Sequence, residues 1–135
     1  MKYILMIVMV LSVFSEARST LKELVSDDIE KPIVLMVSMN NCRYCKKQKK
    51  VIREDDVTQY IVDNFQFTEI NMSLVSLPEK LQTKSAPTLF ILDKDGEVIS
   101  KNMGYKKKDD LMNLLKKSLK DLKVYDELDY QLEFR

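Results

Sequence analysis

The chain has 135 residues, of which 45% are hydrophobic, and this suits one compact domain with an apolar core of its own. Its 22 Lys and Arg residues nearly balance its 21 Asp and Glu residues, so the overall charge gives no reason to expect nucleic acid as a partner. Only two glycines and three prolines are present and no internal repeat is found, which argues against a repetitive or largely disordered chain.

Residues 1–17 have the features of a secretory signal peptide. Lys2 supplies the positive charge, Tyr3–Phe14 forms the apolar run, and Ser15–Ala17 places small residues at the two positions that a signal peptidase inspects. An uncleaved membrane anchor is the alternative, but the run is shorter than the about 20 apolar residues that cross a bilayer. We therefore expect a periplasmic or secreted protein whose thiols work in an oxidising compartment.

Apolar periodicity and turn residues predict an alternation of helices and strands in the rest of the chain. Asn40 or Asn41 is the expected N-cap of the helix that begins at the cysteines, and Asp56–Gln59 is expected to restart that helix as a capping box. Asp93–Gly96 has the composition of a hairpin turn. The predicted elements are a helix over 19–28, a strand over 33–39, a helix from 42 that breaks near 53–56 and resumes to 64, a strand over 65–72, a short helix from 76, a strand over 86–92, a returning strand over 97–100, and a helix over 105–122. This order predicts an α/β protein with a mixed sheet that helices cover on both faces.

Both cysteines of the chain lie in one C-x-x-C motif, Cys42-Arg43-Tyr44-Cys45. The motif follows the apolar strand and opens a basic helical stretch, so the two thiols lie where they can form a small, reversible disulfide. A disulfide that closes so short a loop constrains the unfolded chain very little. The spacing therefore favours a chemical role for the pair over a structural one.

Three other roles for the motif stay open from the residues alone. A structural zinc site needs four nitrogen or sulfur ligands, whereas the chain has two Cys and no His. Haem attachment needs a His after the second Cys, or a rare lysine variant that Lys46 would fit. The third alternative is an inert pair of thiols. Since a redox pair explains the motif best, we expect no metal and no bound cofactor.

In this element order, the motif resembles the redox site of the thioredoxin-like superfamily. The segment Ala86–Ile99 is similar to the cis-proline strand, hairpin and following strand of that family, and Gly104 falls where the family has a glycine before its last helix. The resemblance covers roughly residues 20–122. It implies a thioredoxin-like domain over 18–122, with a central mixed β-sheet flanked by helices on both faces, followed by a C-terminal tail over 123–135.

The resemblance assigns roles to the two cysteines and to the proline strand. Cys42 is the candidate nucleophile, because the unsatisfied N–H groups and the positive dipole end of the helix stabilise its thiolate. Cys45, one turn further on, would attack the mixed disulfide formed with a substrate. The bond before Pro87 is expected to be cis and to lie beside the disulfide, where the main chain of Ala86 can pair with an extended substrate. The alternative for Pro87 is an ordinary proline that opens an edge strand.

Between the cysteines, Arg43 and Tyr44 are candidates for substrate binding, and the alternative for Tyr44 is that it only covers the second sulfur. The family usually has Trp before the motif and Gly-Pro within it, whereas this chain has Asn41, Arg43 and Tyr44. Met36 stands where many members carry a buried acid that handles protons, which leaves the direction of electron flow open. The lysines that follow the motif form either a solvated helix face or a surface that steers an acidic partner.

The broken helix after the motif is similar to that of secreted thioredoxin-related proteins and of the periplasmic thioredoxin domain of the transmembrane reductant conveyor. This implies an exported, monomeric thiol:disulfide oxidoreductase that reduces disulfides of other exported proteins and receives its electrons from a membrane donor. A disulfide oxidant or isomerase is the first alternative. The second is a non-catalytic module that keeps the fold and binds extended peptides or acts as a chaperone.

Overall fold

The structure, a computed structural model, describes residues 30–133. The predictions of a signal peptide over 1–17 and of a helix over 19–28 lie outside the described residues. The described elements are β1 (Ile33–Ser38), α1 (Arg43–Ile52), α2 (Asp55–Asn64), β2 (Gln66–Asn71), a 3₁₀ helix (Glu79–Leu81), β3 (Thr88–Leu92), β4 (Val98–Met103) and α3 (Lys108–Glu133).

The sheet has the strand order β2-β1-β3-β4. β1 pairs in parallel with β2 and antiparallel with β3, and β3 pairs antiparallel with β4. The crossover from β1 to β2 runs through α1 and α2, as a parallel pair requires. All six residues of β1 are buried, which explains why its sequence is a continuous apolar run ending in one serine. The predicted α/β class with a mixed sheet is confirmed.

The alternation of side chains along β1 creates two separate hydrophobic layers. Val34 and Met36 face α1, α2 and α3, whose buried leucines, isoleucines and valines complete the larger layer. Ile33, Leu35 and Val37 face the other side, where Leu81 of the 3₁₀ helix packs against them. The strand that precedes the cysteines is therefore held from both faces of the sheet.

The predicted break in the first helix is confirmed, although its capping differs from the prediction. α2 begins at Asp55 and has Glu54 as its N-cap, without a side-chain capping hydrogen bond. Lys108 Nζ lies 2.9 Å from Glu54 Oε2 and 2.8 Å from Asp56 Oδ2, so the start of α2 is tied to the start of α3 instead. The hydrogen bond from Lys108 holds the pKa of Asp56 below its usual value. In return, the hydrogen bonds to Asp56, the larger effect, and to Glu54 raise the pKa of Lys108.

The last helix is longer than the helix predicted over 105–122, and it includes most of the predicted C-terminal tail over 123–135. α3 continues through Glu133, and the physical reason is that no Gly or Pro interrupts the chain between 105 and 133. Residues 123–133 are all exposed, so this end of α3 lies outside the core that Leu111, Leu115 and Leu122 enter. None of the helices in residues 30–133 is long and apolar enough to cross a membrane.

One polar cluster joins α1 to the sheet beside the larger core. Glu69 of β2 lies opposite Met36 of β1, and its Oε1 accepts a hydrogen bond from Ser38 Oγ at 2.7 Å. Lys49 Nζ of α1 lies 2.7 Å from the same oxygen. Burial alone would raise the pKa of Glu69, but the hydrogen bonds from Lys49 and Ser38 and the nearby charges outweigh it and lower this pKa. Glu69 therefore stays ionised and fastens α1 to β2.

We expect Glu69→Gln to lower the free energy of unfolding at pH 7 by about 1 kcal/mol or less, because the ion pair with Lys49 is partly exposed. A carboxyl group whose pKa is lower in the folded than in the unfolded state stabilises the protein at pH values above its unfolded-state pKa. This stabilisation is lost as the pH falls through the folded-state pKa. The difference between the proteins should therefore shrink below pH 4.5, the ordinary glutamate value. Urea unfolding at pH 7 and at pH 3 measures it.

The matched control is Glu97→Gln, since Glu97 forms a more exposed ion pair with Lys80 at 3.2 Å. This control should change stability at pH 7 less than Glu69→Gln does. An equal loss for Glu69→Gln at both pH values would contradict the electrostatic account and assign the effect to packing.

Candidate active site

The cysteine motif lies at the carboxyl end of the central strand, where β1 passes into α1. Asn41 adopts the left-handed backbone conformation with φ of 55°, which asparagine tolerates better than most residues. The turn is tied to the end of β2, because Asn40 N–H donates to Ser73 Oγ at 3.0 Å and Asn71 Nδ2 donates to Asn40 Oδ1 at 3.0 Å. These bonds fix the direction in which the chain enters α1.

Cys42 itself is the N-cap of α1, which corrects the prediction that Asn40 or Asn41 takes this role. Its side chain accepts a hydrogen bond from the N–H of Cys45, with 3.1 Å between Sγ and N. The physical reason is geometric: a sulfur at the N-cap occupies the place in which a serine or asparagine oxygen would satisfy a free N–H group. The first sulfur of the motif is therefore placed at the positive end of the helix dipole.

Cys42 and Cys45 form a disulfide, and their Cα atoms are 5.2 Å apart. The two sulfurs have different surroundings. Cys42 is half-buried at the rim, whereas Cys45 is only 3% exposed and packs in the larger hydrophobic layer with Met36, which is fully buried. The position six residues before the motif thus puts a thioether, and no carboxylate, into the core that encloses the second cysteine.

The proline loop lies against the same core. The Ala86–Pro87 bond is cis, as the resemblance implied. Pro87 is buried and its carbonyl accepts a hydrogen bond from Gly104 N–H at 2.8 Å, while Ala86 packs on the hydrophobic layer that also contacts Cys42. Among residues 30–133, no hydrogen bond engages the main chain of Ala86. Its N–H and C=O thus have no hydrogen-bond partner within these residues.

The two residues between the cysteines point outward. Tyr44 is 55% exposed, its ring centroid lies 6.3 Å from that of Tyr105, and the Nζ atom of Lys47 lies 5.4 Å from the Tyr44 centroid. Arg43 is exposed at the start of α1. Both side chains are therefore accessible from solvent.

Gln48 is a supporting residue that the sequence reasoning missed. Its side chain is fully buried, its Nε2 donates to Lys106 C=O at 3.2 Å, and its Oε1 accepts from Lys106 N–H at 2.7 Å. These two bonds hold the segment before α3, including Tyr105, against α1. The signal was present in the sequence, because Gln48 is the one uncharged residue in a run of lysines and lies three positions after Cys45, on the same helix face.

No group of three or more Cys, His, Asp or Glu side chains within residues 30–133 is arranged to hold a metal ion. Glu69, the one acidic residue in the described strands, is instead paired with Lys49.

Residues 25–119 match the family described as the thioredoxin-like domain. The chain therefore belongs to the thioredoxin-like domain family, and its fold and Cys42–Cys45 pair are those of the family's thiol:disulfide oxidoreductases. No curated protein sequence is significantly similar to it.

Several solved structures share the fold. The disulphide isomerase from Xylella fastidiosa Temecula1 has 17% sequence identity and a TM-score of 0.56 over 76% of this chain and 91% of that protein. A malarial protein has 24% identity and a TM-score of 0.55 over 66% of this chain and 98% of its own. The DsbH oxidoreductase has 18% identity and a TM-score of 0.53 over 67% of this chain and 73% of its own. At these identities the likeness shows the fold alone.

We expect Gln48→Leu to lower the free energy of unfolding by about 1–3 kcal/mol, because it leaves the N–H and C=O of Lys106 without partners in a largely buried place. Urea unfolding of the oxidised protein measures this loss. Gln59→Leu is the matched control, since Gln59 is exposed and donates only to Asp63; it should stay within about 0.5 kcal/mol of the natural protein. Equal stability of the two variants would contradict the supporting role of Gln48.

Proposed function

We propose that this protein is an exported thiol:disulfide oxidoreductase that reduces disulfides in other exported proteins. The observation that carries the proposal is the asymmetry of the pair, in which Cys42 caps α1 at the rim while Cys45 is enclosed in the core. A nucleophile must reach a foreign sulfur, and a resolving thiol must be shielded until the mixed disulfide exists. The features of residues 1–17 support export.

In the proposed reaction, the thiolate of Cys42 attacks one sulfur of a substrate disulfide. The substrate S–S bond breaks, a mixed disulfide forms between Cys42 and the substrate, and the other substrate sulfur leaves as a thiolate. The helix N-terminus stabilises the attacking thiolate through its dipole and through the N–H of Cys45, which Cys42 caps.

The thiol of Cys45 then loses its proton and attacks the sulfur of Cys42. This forms the Cys42–Cys45 disulfide and releases the second substrate thiolate, so two electrons pass from the protein to the substrate and the substrate sulfurs end as thiols. A dithiol donor, for which we propose a membrane protein, restores the reduced pair by the same exchange in reverse. Thiol exchange of this kind needs no bound cofactor.

Substrate placement in this proposal depends on the loop beside the pair. The free N–H and C=O of Ala86 allow a substrate segment to add as a short extended strand next to the buried Pro87. Such pairing uses main-chain groups that every substrate possesses, so it suits an enzyme that acts on several different proteins. Tyr44 and Arg43, exposed between the cysteines, can contact the same segment.

Cys45→Ala should trap mixed disulfides with exported proteins, because the thiol that releases the substrate is absent while Cys42 still attacks. Non-reducing gels of cells that express this variant should show adducts that disappear on addition of reductant. Cys42→Ala is the matched control and should trap far fewer. Equal trapping by Cys42→Ala would reverse the two roles, and the absence of adducts from both variants would contradict the proposed exchange.

The direction of electron flow is tested by the reduction potential of the Cys42–Cys45 pair. For a reductase we expect a value near the about −270 mV of thioredoxin, well below the about −120 mV of the strong oxidant DsbA. Equilibration with glutathione or dithiothreitol buffers, followed by alkylation and mass spectrometry, measures it. A reduction potential near the about −120 mV of DsbA would make the protein an oxidant of exported thiols.

A further inference from the structure

The helix that begins at the cysteines carries an unbalanced positive charge. Between residues 43 and 53 the chain has six cationic side chains and no acidic one, although the whole protein has a net charge of only +1. The cations of this helix segment are Arg43, Lys46, Lys47, Lys49, Lys50 and Arg53. The local excess is therefore a property of this face and does not follow from the overall composition.

Most of these charges are left without an acidic partner. Within residues 30–133, Lys49 is the cation of α1 that forms an ion pair, with Glu69 at 2.7 Å. Arg43, Lys46 and Lys47 are exposed, and the Nζ atom of Lys47 lies 5.4 Å from the centroid of the Tyr44 ring. The side chains nearest to the disulfide in sequence are thus the ones that present free positive charge to solvent.

A second segment adds to this charge. The hydrogen bonds of Gln48 to Lys106 hold the turn before α3 against α1, and Tyr105 of that turn lies beside Tyr44. Lys107 is exposed in the same turn, whereas the next residue, Lys108, is neutralised by two carboxylates of α2. We define the cationic rim as five side chains of the first turns of α1 and of the turn before α3 that form no ion pair within residues 30–133: Arg43, Lys46, Lys47, Lys106 and Lys107.

Several acidic side chains lie on the exposed end of α3, and two more, Asp109 and Asp110, lie in its first turn just after Lys107 and Lys108. The exposed end carries Asp126, Glu127, Asp129 and Glu133, and a single lysine, Lys123. The first turns of α1, next to the reactive sulfur, thus carry a local excess of positive charge. A field of this kind raises the encounter rate with oppositely charged partners and lowers it with like-charged ones.

We propose that the substrates of this protein are polypeptides whose disulfides are flanked by acidic residues. The inference rests on the proposed reductase function, since it names the chemical class of its substrates. Nucleic acid and anionic lipid would also be attracted to a cationic surface, but neither offers a disulfide to the sulfur of Cys42. The open main chain of Ala86, which suits an extended peptide, also favours a protein partner.

The test uses three peptides that contain the same small disulfide loop, flanked by four Glu, four Ser or four Lys residues. With the reduced full-length protein at low ionic strength, we expect the acidic peptide to be reduced about tenfold faster than the neutral one, and the basic peptide to be slowest. At about 1 M salt, where the Debye length falls to about 3 Å, the three rates should converge. Both measurements use the natural protein, so they do not depend on how a variant folds.

Charge reversal then locates the effect. In the triple variant Lys46→Glu/Lys47→Glu/Lys107→Glu, the rate of reduction of the acidic peptide divided by that of the neutral peptide should fall to one or below. The matched control, Lys116→Glu/Lys117→Glu/Lys120→Glu, makes the same change of charge on exposed positions of α3 and should keep the ratio of the natural protein.

Binding to the oxidised protein, followed by fluorescence anisotropy, separates the two proposals. If no peptide is reduced but the acidic one still binds best, the reductase function is wrong and the acidic preference stands. If all three are reduced at one rate at low salt, the function stands and the acidic preference is wrong. The acidic preference would also be wrong if a single-stranded oligothymidine or phosphatidylglycerol vesicles bound more tightly than the acidic peptide.

Discussion

The hydrogen bond from the N–H of Cys45 to the sulfur of Cys42 is the interaction on which the rest of the site depends. It forms because the turn after β1 brings Cys42 to the N-cap of α1, and β1 is fixed because both of its faces are buried. The bond makes the sulfur part of the helix capping structure. In the fold as a whole, two hydrophobic layers thus hold in place the sulfur of Cys42, the atom that attacks the substrate in the proposed reaction.

The surroundings of that atom divide into an apolar floor and a polar rim. Met36 and the enclosed Cys45 belong to the floor, and none of the buried polar side chains within residues 30–133 is a carboxylate. The polar groups that support the site act from its edge, where Gln48 satisfies the main chain of Lys106 and Ser73 satisfies that of Asn40. The bonds of Gln48 satisfy partly buried main-chain groups of Lys106, and they cost little because both partners are neutral.

Much of this arrangement could be predicted from the sequence, because the short-range residue patterns favour the same elements that the structure contains. The continuous apolar run of β1, the hairpin at Asp93–Gly96 and the break after α1 each follow from short-range patterns. The N-cap was predicted wrongly, because residue preference favours asparagine, whereas the turn geometry puts Cys42 at the capping position. The contacts of Gln48 and Glu69 were not predictable, since each partner lies 20 or more residues away in the chain.

Glu69 also bears on how the second cysteine loses its proton in the proposed reaction. It lies on the strand beside Met36, so the chain does carry a carboxylate near the position where many family members have a buried acid. Its hydrogen bonds from Ser38 and Lys49 keep its pKa low, however, and a carboxylate with a lowered pKa is a weak base. A substrate thiolate, with a conjugate acid of pKa about 8.5, is a far stronger base than such a carboxylate. The first exchange step releases this thiolate at the site, so the attack on the substrate itself creates the base that the attack by Cys45 requires.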